Sequence, residues 1–521
     1  MYYIDIIHQV MKKNTIKNIC LVRGPIIYEE GAFNNEATPP IGLAYLAGYL
    51  ISKNLRVSII DSIGEGLDKR NKLEKYDGFY SHGLSDFEII QRIPKDTDLI
   101  GFQAMFSGEW PPNRDLLLKI KKNFPKAIIV LGGEHSSALP EFIFKDCPVV
   151  DYIIHGEGER SFFNLIDGLN NKVKSENING VSFLNSEKKY TLGNSKDRIK
   201  DLDEIPWPHW PEGMLERYWT AGKSHGVLTE RDMPMIASRG CPYQCTFCSN
   251  PQMWTTRYIL RDPYEVIKEI KFYKEKYNIT SVQFYDLTAI TKKSWILEFT
   301  KELLKQKFKI FWSLPAGTRS EVLDNETLDL VKRSGCHYLV YAPESGSQRT
   351  LDKVKKRITI QKITESMYIA KKVGLTLRAN LILGFPGEKR IDVIKTIIYG
   401  WKISFNGIDE VAYFLFSAYP GSEIFNNLLK DRKVFLNDDY FLELTSLNGK
   451  FNTLDPKTYN ESMSSKELAI YRTVGMSIAY LLGYIRYPKR IFRTISNVFF
   501  KKKTASTVLE HRLKDAFNKA Q

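Results

Sequence analysis

Short apolar runs alternate with amphipathic stretches over most of the chain. In the first third, residues 18–24, 56–61, 99–105, 127–133 and 151–156 are nearly continuous in apolar side chains, the pattern of strands buried on both faces. Between them, residues 41–53, 113–124 and 159–169 repeat apolar positions at helical spacing. This alternation predicts an α/β domain with a doubly wound parallel sheet, whose ligand lies beyond the carboxyl ends of the strands.

The alternation restarts at residue 233. Strands are predicted over 233–239, 281–287, 309–315, 337–342, 376–384 and 410–417, with helices over 262–277, 294–306, 325–334 and 360–373 and from 389. Six such units fall short of a full eight-unit barrel, so a partial (β/α)6 barrel is expected, with its chemistry at the strand carboxyl ends. Between the two patterns, Ile205-Pro-Trp-Pro-His-Trp-Pro211 is too proline-rich for a helix or a central strand. The expected division is an N-terminal domain over 1–170, a linker over 171–230, the barrel over 231–440 and a mostly helical C-terminal segment over 441–521.

A length of 521 residues suits two or three domains, and 43% hydrophobic and 26% charged residues are ordinary for a globular protein. The net charge of +15 suits nucleic acid, an anionic membrane surface or a lysine-rich solvated surface, and charge alone does not choose. No RNA-binding module accompanies it, so nucleic acid is not expected. Six cysteines, half of them clustered, exclude a disulfide scaffold and point to a reducing, cytoplasmic compartment. The N-terminus has an early acid, Asp5, and only short apolar runs, unlike a signal peptide.

The clustered cysteines carry the chemistry. Cys241, Cys245 and Cys248 stand at C-x3-C-x2-C spacing just after the strand at 233–239. A mononuclear zinc site wants four protein ligands, and no partner pair lies nearby. Three thiolates on one tight loop suit a cubane iron–sulfur cluster with one iron left open to a small ligand. With Phe247 in its aromatic slot, the loop resembles the signature of the radical S-adenosylmethionine enzymes. The resemblance implies a [4Fe–4S] cluster, S-adenosylmethionine chelated at the open iron, and its cleavage to a 5′-deoxyadenosyl radical. It also implies cofactor contacts at the strand ends: Asp286 near the methionine amino group, Arg319 with Ser320, then Glu344 and Ser345 near the ribose and carboxylate. Arg378 and the stretch Gly384-Phe-Pro-Gly-Glu388 would serve the adenine side, with Arg378 equally suited to anchoring substrate. Cys336 begins a strand, at the end away from the cluster, and reads as structural.

In the N-terminal domain, Gly132-Gly133-Glu134-His135 and Gly156-Glu157-Gly158-Glu159 end strands with glycines that permit close approach of a ligand. With Pro40 and Gly42 in Thr38-Pro-Pro-Ile-Gly42, they resemble the cobalamin-binding domain that precedes many radical S-adenosylmethionine domains. Gly132, Gly133, Glu134, Gly156 and Glu157 would then face the corrin. The D-x-H-x-x-G motif of methionine-synthase-like domains is absent, so no histidine is assigned beneath cobalt. The domain order implies methylation of an unactivated carbon, or ring closure as in the magnesium-protoporphyrin ester cyclases. The intact cysteine loop argues against a non-catalytic cobalamin sensor. An electron donor such as flavodoxin or ferredoxin is implied, with a small-molecule or lipid-like substrate.

In the C-terminal segment, residues 474–485 are uncharged but too few to span a bilayer, which needs roughly 20 residues. Arg486, Lys489, Arg490 and Arg493 follow, interleaved with apolar residues. This suits either an interfacial helix at the inner face of the membrane or a helix packed on the barrel with a solvated basic side.

Overall fold

The computed structural model describes residues 15–32, 37–193, 198–227, 229–288, 291–318, 323–449, 456–500 and 504–520. Among the described residues ten strands precede residue 193: β1 (Asn18–Arg23), β2 (Ile26–Glu29), β3 (Arg56–Asp61), β4 (Arg70–Lys72), β5 (Phe79–His82), β6 (Leu99–Gln103), β7 (Ile128–Gly132), β8 (Tyr152–Ile154), β9 (Val181–Leu184) and β10 (Tyr190–Leu192). Seven form one sheet in the order β10-β9-β8-β7-β6-β1-β3. Its central strands are parallel, as their unbroken apolar runs predict, with Ile19 opposite both Val57 and Leu99. The strand order reverses between β1 and β6, the point beyond whose carboxyl ends a doubly wound sheet binds its ligand.

Two features were not expected. β9 and β10 form an antiparallel hairpin that extends this sheet from within the stretch read as linker. Its turn is held by the Asn185 side chain, which accepts from the amides of Glu187 and Lys189. β2, β5 and β4 make a separate antiparallel sheet; strands of three or four residues, half of them polar, carry too little periodicity to be seen.

The second half contains β11 (Asp232–Met235), β12 (Ser238–Arg239), β13 (Ile259–Leu260), β14 (Ser281–Phe284), β15 (Phe311–Thr318), β16 (Cys336–Glu344), β17 (Thr376–Leu383) and β18 (Glu410–Leu415). Six are parallel in chain order, β11-β14-β15-β16-β17-β18, and the two ends of the sheet are not paired, which makes the barrel partial. The strand expected over 233–239 is interrupted: its last two residues leave the barrel to pair with β13. Along β17, Leu377, Ala379, Leu381 and Leu383 pack outward against the helices. Arg378, Asn380 and Ile382 alternate with them and stay half-buried toward the lumen.

The C-terminal segment closes the barrel from below. Val508 and Leu509, at the start of the helix Val508–Ala520, donate their amides to the Glu410 carboxylate at 3.0 and 2.7 Å. Val508 also packs against Tyr338, Val340 and Val227. The apolar run at 474–485 belongs to a longer helix, Ser465–Arg486, of 22 residues, capped by Ser464. Its mean hydropathy of 1.3 over an 18-residue window meets the length and composition of a membrane span, so the argument from twelve residues does not hold. Packing argues against spanning instead. Gly475 and Ala479 offer their carbonyls to Trp401 and Ser404 of the helix Arg390–Phe405, and the buried Arg472 donates to the Leu447 carbonyl.

Candidate functional site

The cysteine loop leaves β12 through Gly240, whose φ is +85°. A β-carbon there would stand 2.3 Å from the Arg257 carbonyl oxygen, so only glycine makes this turn. The loop is fixed by its backbone. Cys248 donates to the Cys245 carbonyl, and Thr246 donates to the Val354 carbonyl at 3.0 Å while accepting from the Ile424 amide at 2.9 Å. Phe247 lies 5.5 Å from the Phe385 ring, with Lys356 Nζ 5.9 Å from its centroid. None of the three thiols forms a disulfide, and all are half-buried. Thr288 Oγ1 lies 3.5 Å from Cys241 Sγ, and burial pushes the Cys248 thiol up to about 12. Among the described residues no three His, Cys, Asp or Glu side chains gather around one metal ion. Three thiols on one loop are the ligand set of a cubane that keeps one iron open.

Asp286, beyond β14, is buried and turned toward the strand that leads into this loop. It accepts from Ala237 N at 3.1 Å and from Ser238 Oγ at 2.5 Å, and burial raises its carboxyl to about 6. Glu344 ends β16 at φ +63°, a conformation costly outside glycine, and pairs with the buried Lys356 at 2.7 Å. Ser345 is fully buried and shares a hydrogen bond with Thr396 at 2.8 Å, so it holds the loop's shape. Glu388 accepts from the amides of Gly384 and Phe385 and from Thr350, and burial raises it to about 7. Arg319 and Ser320 lie outside the described residues. Arg378 is not at a strand end. It is the third residue of β17, with Nε 2.9 Å from Asn380 Oδ1 and its guanidinium over Phe414. The strand predicted over 376–384 already places Arg378 near its amino end, away from the carboxyl ends where cofactor contacts are expected.

The carboxyl edge of the N-terminal sheet meets the cysteine loop directly. Glu134 accepts a hydrogen bond from Ser249, the residue after Cys248, and burial raises its carboxyl. A β-carbon on Gly156 would stand 2.8 Å from the Met253 carbonyl. Glu157, expected to face the corrin, instead directs both carboxylate oxygens into ion pairs, with Arg198 at 2.8 Å and Arg239 at 3.3 Å. Arg239 also pairs with Glu159 at 2.6 Å and lies over Tyr45 and Trp254. This buried network was not foreseen, because an arginine two residues before the first cysteine gives no sequence signal of a partner 80 residues away.

The same edge fits cobalamin. A β-carbon on Gly132 would meet nothing within 4 Å, and one on Gly42 only the tip of Gln103. Gly133 holds φ +122°, and Phe106, beyond β6, is 59% exposed. Glycines over open space beside an exposed aromatic leave room for a broad, flat ligand. Pro40 precedes the helix Ile41–Ser52, and Arg23 donates to the Thr38 carbonyl beside it. His135 is buried between Trp110 and Phe441 with Nδ1 on Ser107, and burial lowers it to about 3. It is part of the core, in keeping with the missing D-x-H-x-x-G motif.

Two family profiles match the chain: the B12 binding domain over residues 35–166 and the radical SAM superfamily over residues 235–399. An uncharacterized methyltransferase of Pyrococcus horikoshii is 28% identical over 461 residues, 88% of this chain and 90% of the relative. Cytidylyl-2-hydroxyethylphosphonate methyltransferase of Streptomyces wedmorensis is 26% identical, over 75% of this chain and 78% of the relative. The anaerobic magnesium-protoporphyrin IX monomethyl ester cyclase of Rubrivivax gelatinosus is 25% identical, over 85% and 75%. In fold, the chain is similar to the cobalamin-dependent S-adenosylmethionine radical enzyme OxsB with aqua-cobalamin bound: TM-score 0.62, 19% identity, 85% of this chain but 58% of OxsB. It is also similar to the methyltransferase TsrM of Kitasatospora setae with cobalamin and a [4Fe–4S] cluster: TM-score 0.60, 14% identity, 80% of this chain and 78% of TsrM.

Proposed function

We propose that this chain, which belongs to the cobalamin-dependent radical S-adenosylmethionine enzymes, methylates an unactivated carbon of its substrate. Its cofactors are a [4Fe–4S] cluster, S-adenosylmethionine and cobalamin. When bound, they supply a carbon radical able to take a hydrogen atom and a methyl group to deliver. The observation that carries this reading is the shared crevice. The glycine-lined edge of the N-terminal sheet lies against the cysteine loop through Glu134 and Ser249 and through Gly156 and Met253. Radical formation and methyl delivery would thus occur on two sides of one space, where positioning is most of what the protein contributes.

In this reading Cys241, Cys245 and Cys248 hold the cluster, and Thr288 steadies the Cys241 sulfur. Asp286 fixes the strand into the loop through Ala237 and Ser238, so it orients rather than reacts. Glu344, held by Lys356, is the carboxylate that would meet the ribose. Gly132 and Gly42 leave the corrin its room, Gly133 lets its turn pack against the Ala104 carbonyl, and the Glu157–Arg239–Glu159 network keeps the two sides in register. Asn380, one layer above the Arg378–Glu410 floor, suits a polar group of the substrate better than Arg378 suits the adenine side. The substrate is a small molecule or lipid-like, and a flavodoxin- or ferredoxin-type donor supplies electrons. A thiolate-bound cluster suits the reducing cytoplasm.

Ring closure is the second reading, favoured by the similarity to magnesium-protoporphyrin ester cyclases. Anaerobic turnover of cell extract with S-adenosylmethionine bearing a deuterated methyl group separates the two. Methylation labels a product with an intact trideuteromethyl group. Ring closure gives a product that carries no deuterium from that methyl group.

A further inference from the structure

The outer face of the helix Ser465–Arg486 is apolar where water-facing helices are polar. Its inner stripe, Arg472, Gly475, Ala479 and Gly483, is buried against the barrel. The opposite stripe runs through Ile470, Val474, Ser477, Leu481 and Ile485, all exposed, and Ile470, Leu481 and Ile485 are 60%, 57% and 65% accessible. A stripe at this spacing is one continuous face.

The face does not stop at that helix. Arg390–Phe405, packed beside it, exposes Ile391, Ile398 and Phe405 at seven-residue intervals, with Lys395 and Lys402 exposed between them. Beyond Arg486 the chain turns into Lys489–Ile495 and then Ser496–Phe500, a wider turn of helix. Phe492 and Phe500 are 72% and 77% exposed there. Apolar patches of this extent on a soluble surface mark a contact site.

Charge selects the occupant. From Leu468 to Leu509 the sequence contains no aspartate or glutamate. The exposed charges around the apolar stripes are cations: Lys395, Lys402, Arg486 and Lys489. Not every basic residue of the segment is available. Arg490 is buried and donates to the carbonyls of Gly407 and Ile408, and Arg493 pairs with Glu510 and Asp409. What remains is an apolar centre rimmed by positive charge, and the acid beside it, Glu467, is already paired with Arg390. We infer that this surface, built jointly by the barrel helix Arg390–Phe405 and the C-terminal helices, rests on an anionic lipid bilayer. The helix Ser465–Arg486 lies in the interface plane, since its inner face is already committed to the barrel. The inference is independent of the reaction proposed above and would locate that reaction at a membrane surface.

Cosedimentation of the full-length protein with vesicles tests it. Vesicles of phosphatidylcholine with about one-third phosphatidylglycerol should bind the protein at low salt, and pure phosphatidylcholine should bind it more weakly. The triple variant Leu481→Asp/Ile485→Asp/Phe492→Asp should lose binding by at least about tenfold, since each change removes an inserted apolar group and adds a repelled charge. Lys395→Glu/Lys402→Glu, on the barrel helix alone, should also weaken binding to anionic vesicles and leave that to pure phosphatidylcholine unchanged. Circular dichroism melting of each variant checks that the fold is kept; should the triple variant unfold, the lysine pair carries the test. Wild-type protein that ignores anionic vesicles at low salt overturns the inference. So does sedimentation showing a wild-type dimer that the aspartate variant dissolves, because a second copy then covers this face.

Discussion

Cys241, Cys245 and Cys248 are the residues whose removal has the plainest consequence. Each alanine substitution should abolish the bound iron and all formation of 5′-deoxyadenosine, since a three-thiolate cluster has no spare ligand. Iron content and dithionite-driven cleavage of S-adenosylmethionine measure both; a variant that keeps either would contradict the assignment. Glu388 makes a different kind of prediction. Burial outweighs the three donors that favour its charged form, and its carboxyl rises from the usual 4.5 to about 7. A raised carboxyl binds its proton more tightly in the folded state, so its stabilising contribution is full below about pH 4.5 and is lost as pH rises through 7. Up to about 3 kcal/mol is at stake. Glu388→Gln should flatten that part of the stability profile in urea titrations between pH 5 and 8. The cysteine spacing was legible without a structure because ligation imposes its own geometry on sequence. The environment of Glu388 was not, because it depends on Thr350 and on a loop closed over it.

At the scale of elements, strands and helices were read from their periods, and what escaped was how the elements lock together. The strand over 233–239 was expected to run straight into the cysteine loop. In the structure its last residues pair with β13, and this detour delivers Arg239 to Glu157 and Glu159 on the far domain. Burial opposes charging both partners, yet Glu159 is lowered and Arg239 raised, because each carries the other's charge. Such a network is expensive to break and cheap to replace. Arg239→Ala would strand the buried Glu159 and leave Glu157 with Arg198 alone, and should cost about 3–5 kcal/mol, read from denaturant unfolding. Arg239→Met with Glu159→Leu, which keeps the Glu157–Arg198 pair, should recover much of that loss. If the single substitution is as stable as wild type, the network does not hold the domains in register.

At the scale of the molecule, the basic C-terminal segment suited in sequence either an interfacial helix or one packed on the barrel, and its last helix is the floor of the barrel. Patterning could not show this, because an amphipathic helix reads the same wherever it docks. The contact that decides it is long-range: Glu410, buried at the start of β18, receives two backbone amides from Val508 and Leu509 and the Tyr338 hydroxyl. Removing residues 504–521 would strip that carboxylate of its amide donors and uncover Tyr338 and Val340, which Val508 now shields. Charge-assisted hydrogen bonds are worth about 1.5–3 kcal/mol each, and the exposed apolar surface adds to the loss. The truncated chain should therefore be destabilised by several kcal/mol, at about the scale of whole-domain stability. Glu410→Gln, which keeps the shape and one acceptor, should cost less than half as much. Thermal melts of the two variants beside wild type make the comparison, with iron retention as a second readout from the barrel's opposite end. A truncated protein that melts with wild type would make the last helix an ornament. The expected instability also means that loss of vesicle binding on truncation would report a damaged barrel, so the membrane face has to be probed by substitutions on its surface.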